Sequence, residues 1–151
     1  MILNGIDRRI WGCDNGYYGK TNKAITYTFD KETYVEGVRL VFDSDLDREY
    51  TEGNPDGLHT SSVLFYPASH NNTTFGFPKC LVKSYCIEVM DGEGEWRRVL
   101  HITDNHQRFV KQKLGLSVTA VRFIPLSTYH SETKTEDYGS STAHIFNFEL
   151  Y

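Results

Sequence analysis

The chain has 151 residues, enough for one domain with its own core and too few for two ordinary ones. Its formal net charge is −4 and its 16 Lys and Arg residues are scattered, so no basic stripe offers nucleic acid a track of phosphate contacts. No apolar run is long enough to span a bilayer, and Asp7, Arg8 and Arg9 interrupt any signal-peptide core in the first ten residues, as in a domain cut from a longer chain.

Taken in chain order, strand signals dominate. Residues 24–29 (AITYTF) place Ile25, Tyr27 and Phe29 on one face and Thr26 and Thr28 on the other, the period of a β-strand. Residues 30–33 are polar and predict a turn. Over residues 35–42, Val38, Leu40 and Phe42 alternate with Arg39 and Val41. Residues 83–90 set Tyr85, Ile87 and Val89 against Cys86, Glu88 and Met90. Apolar groups on both faces predict an inner strand. Asp91-Gly92-Glu93-Gly94 predicts a tight turn, with residues 96–102 as the return strand of a hairpin.

Further strands are expected at 108–113, 118–126 and 143–151. Pro125 should fall at a strand end or an edge, because it has no N–H to give a ladder. A short helical turn fits residues 45–49 or 79–83, but no 3.6-residue period is sustained. Aromatic residues make up 14% of the chain, so Phe and Tyr rings are expected to fill the core. The whole predicts an all-β fold of about eight antiparallel strands, as a sandwich or barrel.

Two stretches are long for plain connections, residues 43–79 and 127–141. The first holds Tyr50, Phe65, Tyr66, Phe75 and Phe77. A disordered linker is poor in aromatics, so this insertion is expected to be folded, with a short strand at 62–66. The second is polar and reads as solvated. Cys13, Cys80 and Cys86 are odd in number and do not match zinc-ligand spacing, so free thiols are expected.

Tests for self-contained catalysis come out negative. The six histidines (His59, His70, His101, His106, His130 and His144) show no H-E-x-x-H pattern, and no G-x-S-x-G elbow occurs. Asp43, Asp45 and Asp47 begin like a calcium loop, but Glu49 and Asn54 stand where that loop needs other residues. The run reads instead as a solvated strand end. Asn105, His106, Gln107 and Arg108 present amide, imidazole and guanidinium groups that suit a polyol or carboxylate. The competing reading pairs Arg108 with the Asp43–Asp47 cluster. Trp11 reads as a core ring. Tyr17 and Tyr18 are neighbours and cannot share one strand face, so at least one is expected at the surface as a platform for a sugar ring.

The ordered set LNGIDRRIWG, AITYTFDKETYVEGVRLVFDSDL, LVKSYCIEVMDGEGEWRRVLHITDNHQR, VTAVRFIPL and AHIFNFELY resembles the discoidin, or coagulation-factor type C, group of galactose-binding-like sandwiches. It is also similar to the discoidin-like region ending some bacterial FAD-dependent oxidoreductase polypeptides. That likeness lies in R-L-V-F-D-S-D-L at 39–46, N-H-Q-R at 105–108 and the closing A-x-I-F. The resemblance implies a jelly-roll sandwich spanning residues 1–151, excised from a larger bacterial protein, secreted or of the cell envelope.

By the same resemblance, the domain is a non-catalytic module that binds carbohydrate through loops at one end, with Tyr17, Tyr18, His106, Gln107 and Arg108 as ligand contacts. The alternative is an accessory domain docked on an FAD-dependent region of the same chain through the 43–79 insertion. The chain itself carries no dinucleotide fingerprint. Relatives often hold a structural calcium where the N-terminal loop meets the last strand. The matching positions are Asn4, Asp7, Asn147 and Glu149. Asn147 replaces the family's acid there, which weakens calcium binding, and Glu149 on the same face can compensate. Without a metal, Asp7 would pair with Arg8 or Arg9.

Overall fold

A computed structural model describes residues 5–8, 15–44, 78, 80–129 and 142–151. Six strands run through them: β1 (Tyr17–Lys20), β2 (Ile25–Phe42), β3 (Val82–Met90), β4 (Trp96–Ile102), β5 (Phe109–Thr128) and β6 (Thr142–Leu150). They form one antiparallel sheet in the order β1-β6-β2-β5-β3-β4, with no helix among the described residues. The all-β expectation holds, and among the described residues the four strands expected at 24–29, 35–42, 108–113 and 118–126 join into two. β2 and β5 each run straight through a segment whose composition predicts a break.

The reason is visible at residues 30–33. Asp30, Lys31 and Glu32 are polar because they are exposed, not because the chain reverses. The ladder with β5 shifts register between Thr28 and Thr33 and again between Val35 and Gly37, then resumes. On β5, Gly115 takes a φ of 64° at the same level, a conformation that costs glycine little. Irregular pairing at one level lets the long β2–β5 ladder fold over itself. The second half of β2 and the first half of β5 then lie with β6 and β1, the first half of β2 and the second half of β5 lie with β3 and β4, and the sheet curls into two facing layers.

Four rings meet between the layers. Phe42 and Phe148 come from one layer and Tyr85 and Phe123 from the other, with centroids 5.4 to 6.0 Å apart. All four are essentially removed from solvent. Such tilted pairs suit the ring quadrupole, and the buried area dominates the stabilisation. Tyr27 crosses the same gap, its hydroxyl donating to the Phe148 carbonyl at 2.7 Å.

Several local expectations change. Pro125 lies inside central strand β5, but beyond the last β2 pair at Ile25–Phe123 and beside a register shift in β3. Its missing donor therefore falls where the ladder is already loose. Of the expected 79–83 helix, the described residues 80–83 form none: a turn joins the Leu81 N–H to the Pro78 carbonyl at 3.0 Å, and β3 begins at Val82. Asp91 caps the predicted turn by accepting the N–H groups of Glu93 and Glu95. Cys80 and Cys86 are free thiols, and burial raises the pKa of Cys86 above its ordinary value. Trp11, Cys13, the 45–49 turn, the 62–66 strand and most of the 43–79 insertion lie outside the described residues.

On the outer face of the second layer, Glu88 is only 8% exposed. Arg98 donates to its Oε1 from Nε and Nη2 at 3.1 and 3.0 Å, and Arg122 donates to Oε2 from Nε at 2.8 Å. Burial pushes the Glu88 carboxyl upward, but the hydrogen bonds and charges of Arg122 and Arg98 outweigh it and hold the pKa below its ordinary 4.5. A depressed carboxyl stabilises the fold fully above the unfolded value and loses that contribution as pH falls through the folded one. The stability of the parent should therefore fall as the pH drops below about 4.5. Melting curves between pH 6 and pH 3 should show a shallower fall for Glu88→Gln, and equal slopes would refute the assignment.

Candidate functional site

The ends of β2 and β4, the starts of β3, β5 and β6, and edge strand β1 gather at one end of the sandwich. All five ligand contacts expected from the sequence lie at this end. Tyr17 and Tyr18 pair with Ile145 and His144 along the β1–β6 ladder and are 41% and 51% exposed. Edge position and alternation place the two rings on opposite sides of β1.

Tyr18 lies flat on His144, with ring centroids 3.8 Å apart and planes within 5°. His144 is 3% exposed, and its Nδ1 is 2.8 Å from Asp43 Oδ2. A carboxylate only accepts, so Nδ1 carries the proton in this pair. The other ring nitrogen faces Gly16, where an added Cβ would clash with Nε2. Phe146 lies 4.6 Å from His144, and the Arg108 guanidinium lies 5.6 Å over the Phe146 ring. Tyr18, His144, Phe146 and Arg108 thus form one continuous row on the outer face of the first layer.

The loop from β4 to β5 is built on a residue that the motif N-H-Q-R does not single out. Asn105 is buried, and its Nδ2 donates to the carbonyls of Val82 at 2.7 Å and Gln107 at 3.0 Å. Its backbone N–H donates to Lys83 at 2.8 Å, and the Tyr129 hydroxyl donates to its carbonyl at 2.9 Å. With Asn105 as the anchor, His106 and Gln107 are exposed. Arg108 does not pair with Asp43, and Asp45 and Asp47 lie outside the described residues. The Arg108 Nη2 donates to the Asp7 carbonyl, while Asp43 is taken by His144.

Asn4 lies outside the described residues. Of the other calcium positions, Asp7 does not pair with Arg8 among the described residues, and Arg9 lies outside them. Arg39 instead donates from Nη2 to Asp7 Oδ2 at 2.6 Å and from Nη1 to Glu149 Oε2 at 3.0 Å. Asp7 Oδ1 and Asn147 Oδ1 are buried acceptors without a partner. Two such oxygens fall short of the six to eight that calcium takes. Among the described residues two guanidiniums already balance the two carboxylates, so the donors found there do not fit calcium. Among the described residues, no group of three or more His, Cys, Asp or Glu side chains is placed to hold a metal.

No family model and no curated protein matches the chain. Solved structures do. A family 32 carbohydrate-binding module of EndoD from Streptococcus pneumoniae superposes with a TM-score of 0.61 at 12% identity, over 99% of this chain and 82% of that one. A Clostridium perfringens module in complex with GalNAc-β-1,3-galactose gives 0.56 at 8% identity, over 99% and 80%. The module of C. perfringens NanJ in complex with galactose gives 0.55 at 8%, again over 99% and 80%. The fold is that of the discoidin-like, galactose-binding-like sandwiches.

Sequence reasoning missed His144, which it met only as a scattered histidine. The alternation along A-H-I-F would have placed it beside Phe146, away from Ala143 and Ile145. Because His144 is held between Tyr18 and Asp43, it cannot yield to a side chain at position 16. Gly16→Ala should cost about 1–3 kcal/mol of stability in urea denaturation, the usual penalty of overpacking. An unchanged midpoint would show that the His144 ring is not held.

Proposed function

We propose that this domain is a non-catalytic carbohydrate-binding module that takes a sugar at the loop end of the sandwich. The carrying observation is the Tyr18 ring, half exposed and backed face to face by a buried histidine. A ring fixed in this way loses little entropy when a sugar stacks on it. Tyr17 is exposed on the other side of β1, and His106 and Gln107 offer groups that bond hydroxyls. Arg108 contributes by holding the loop through Phe146 and the Asp7 carbonyl.

The neighbours' ligands, galactose and GalNAc-β-1,3-galactose, support neutral galactose-type sugars as the first class to test. A hydrolytic reading has less support. An Asp–His pair activates a nucleophile through its second ring nitrogen, and here that nitrogen faces Gly16.

Affinity electrophoresis and calorimetry against galactose, GalNAc and a panel of polysaccharides test the proposal. Binding of at least one is expected, and Tyr18→Ala should weaken it by about tenfold, roughly 1.4 kcal/mol, with the fold intact. Absence of retention on every glycan, or undiminished binding by the variant, would refute it.

A further inference from the structure

Of the oxygens that the resemblance assigns to a cation, Asp7 Oδ2 and Glu149 Oε2 meet a side chain instead. We infer that Arg39 takes the place of a structural metal in this domain, clasping the N-terminal segment to the two central strands of the first layer. Arg39 sits on β2 directly opposite Glu149 of β6, and Val41 sits opposite Asn147, so one outer face carries the whole set. The two arms of the guanidinium divide between Asp7 of the N-terminal segment and Glu149 of the last strand. Arg108 reaches the same segment from β5 by donating to the Asp7 carbonyl. Phe109 covers Arg39, with its ring centre 5.7 Å from the guanidinium carbon.

The geometry requires arginine. A planar fork serves two carboxylates on two different elements at once, whereas an ammonium is a single point charge. The charge balance also opposes a metal. Asp7 and Glu149 supply two negative charges, and Arg39 and Arg108 supply two positive ones. A divalent ion would have to enter against both guanidiniums, and Asn147 brings it no charge. The side chains of Arg39, Asp7 and Glu149 are 33%, 30% and 44% exposed, so the clasp is partly screened and its effect on stability is moderate. Its role is placement: it sets where residues 5–8 lie across β2 and β6. The inference stands whether or not the domain binds sugar.

The test uses the full chain after chelator treatment. Calorimetric titration with calcium chloride to millimolar concentration should show no binding, and the Tm should be the same in calcium and in EDTA. Saturable calcium binding that raises the Tm would overturn the inference. Arg39→Gln should lower the Tm by about 2–4 °C and speed amide exchange at residues 5–8 more than at β3 or β4. Parental Tm and parental exchange in that variant would also overturn it. If Arg39→Gln fails to fold, Arg39→Lys serves: it keeps the charge, loses the fork, and should still speed exchange at residues 5–8.

Discussion

Everything in this domain depends on four rings meeting between two layers. Phe42 and Phe148 cannot reach Tyr85 and Phe123 unless the β2–β5 ladder folds over itself. Hydrophobic burial supplies the drive, since these are among the largest side chains removed from water. The two register shifts in β2 and the left-handed Gly115 in β5 supply the means. Strands of this length would otherwise make a flat, exposed sheet with little to bury. The bend therefore follows from the core, and the loop end follows from the bend. The end of β2 is paired with the starts of β5 and β6, and folding the ladder brings that group close to the end of β4.

A second irregularity shapes what that end presents. Val41 pairs with Asn147, but Phe42 pairs with Ile145, so Phe146 is an extra residue in β6. The bulge keeps both Ile145 and Phe148 in the core, which strict alternation would forbid. It also sets His144 and Phe146 on the outer face, where Tyr18 and Arg108 join them. One inserted residue thus reconciles the apolar core with a row of rings outside it.

These two irregularities mark where sequence reasoning stops. Period two is a local signal, and it placed Val38, Leu40, Phe42, Tyr85, Ile87 and Val89 on the core face, where they lie buried. The hairpin turn at Asp91 was legible because turn chemistry is also local. The polar run 30–33 misled, because exposed polar residues mark a bend in a continuing strand as well as a reversal. The ion pairs were hidden for a different reason. Asp7 meets Arg39 across 32 residues, and His144 meets Asp43 across 101. Nothing near either residue announces the partner. Nor does anything near Arg108 announce the Asp7 carbonyl, 101 residues away, to which it donates.

The use of arginine ties the site to its ligand class. Arg39 bridges two carboxylates, Arg98 and Arg122 share Glu88, and Arg108 holds a carbonyl and a ring. Arg122 also lies 4.0 Å over Trp96. Each of these forks is spent on joining one element to another, where planar, bidentate contacts give the most geometric definition. Among the described residues, what the loop end then offers outward is aromatic faces, an imidazole and an amide rather than uncommitted cationic forks. Groups of that kind bond hydroxyls and cover the apolar face of a ring, and an anionic ligand would find less to meet its charge. Under the proposed function, the same assignments that hold the domain together favour an uncharged sugar over an acidic one.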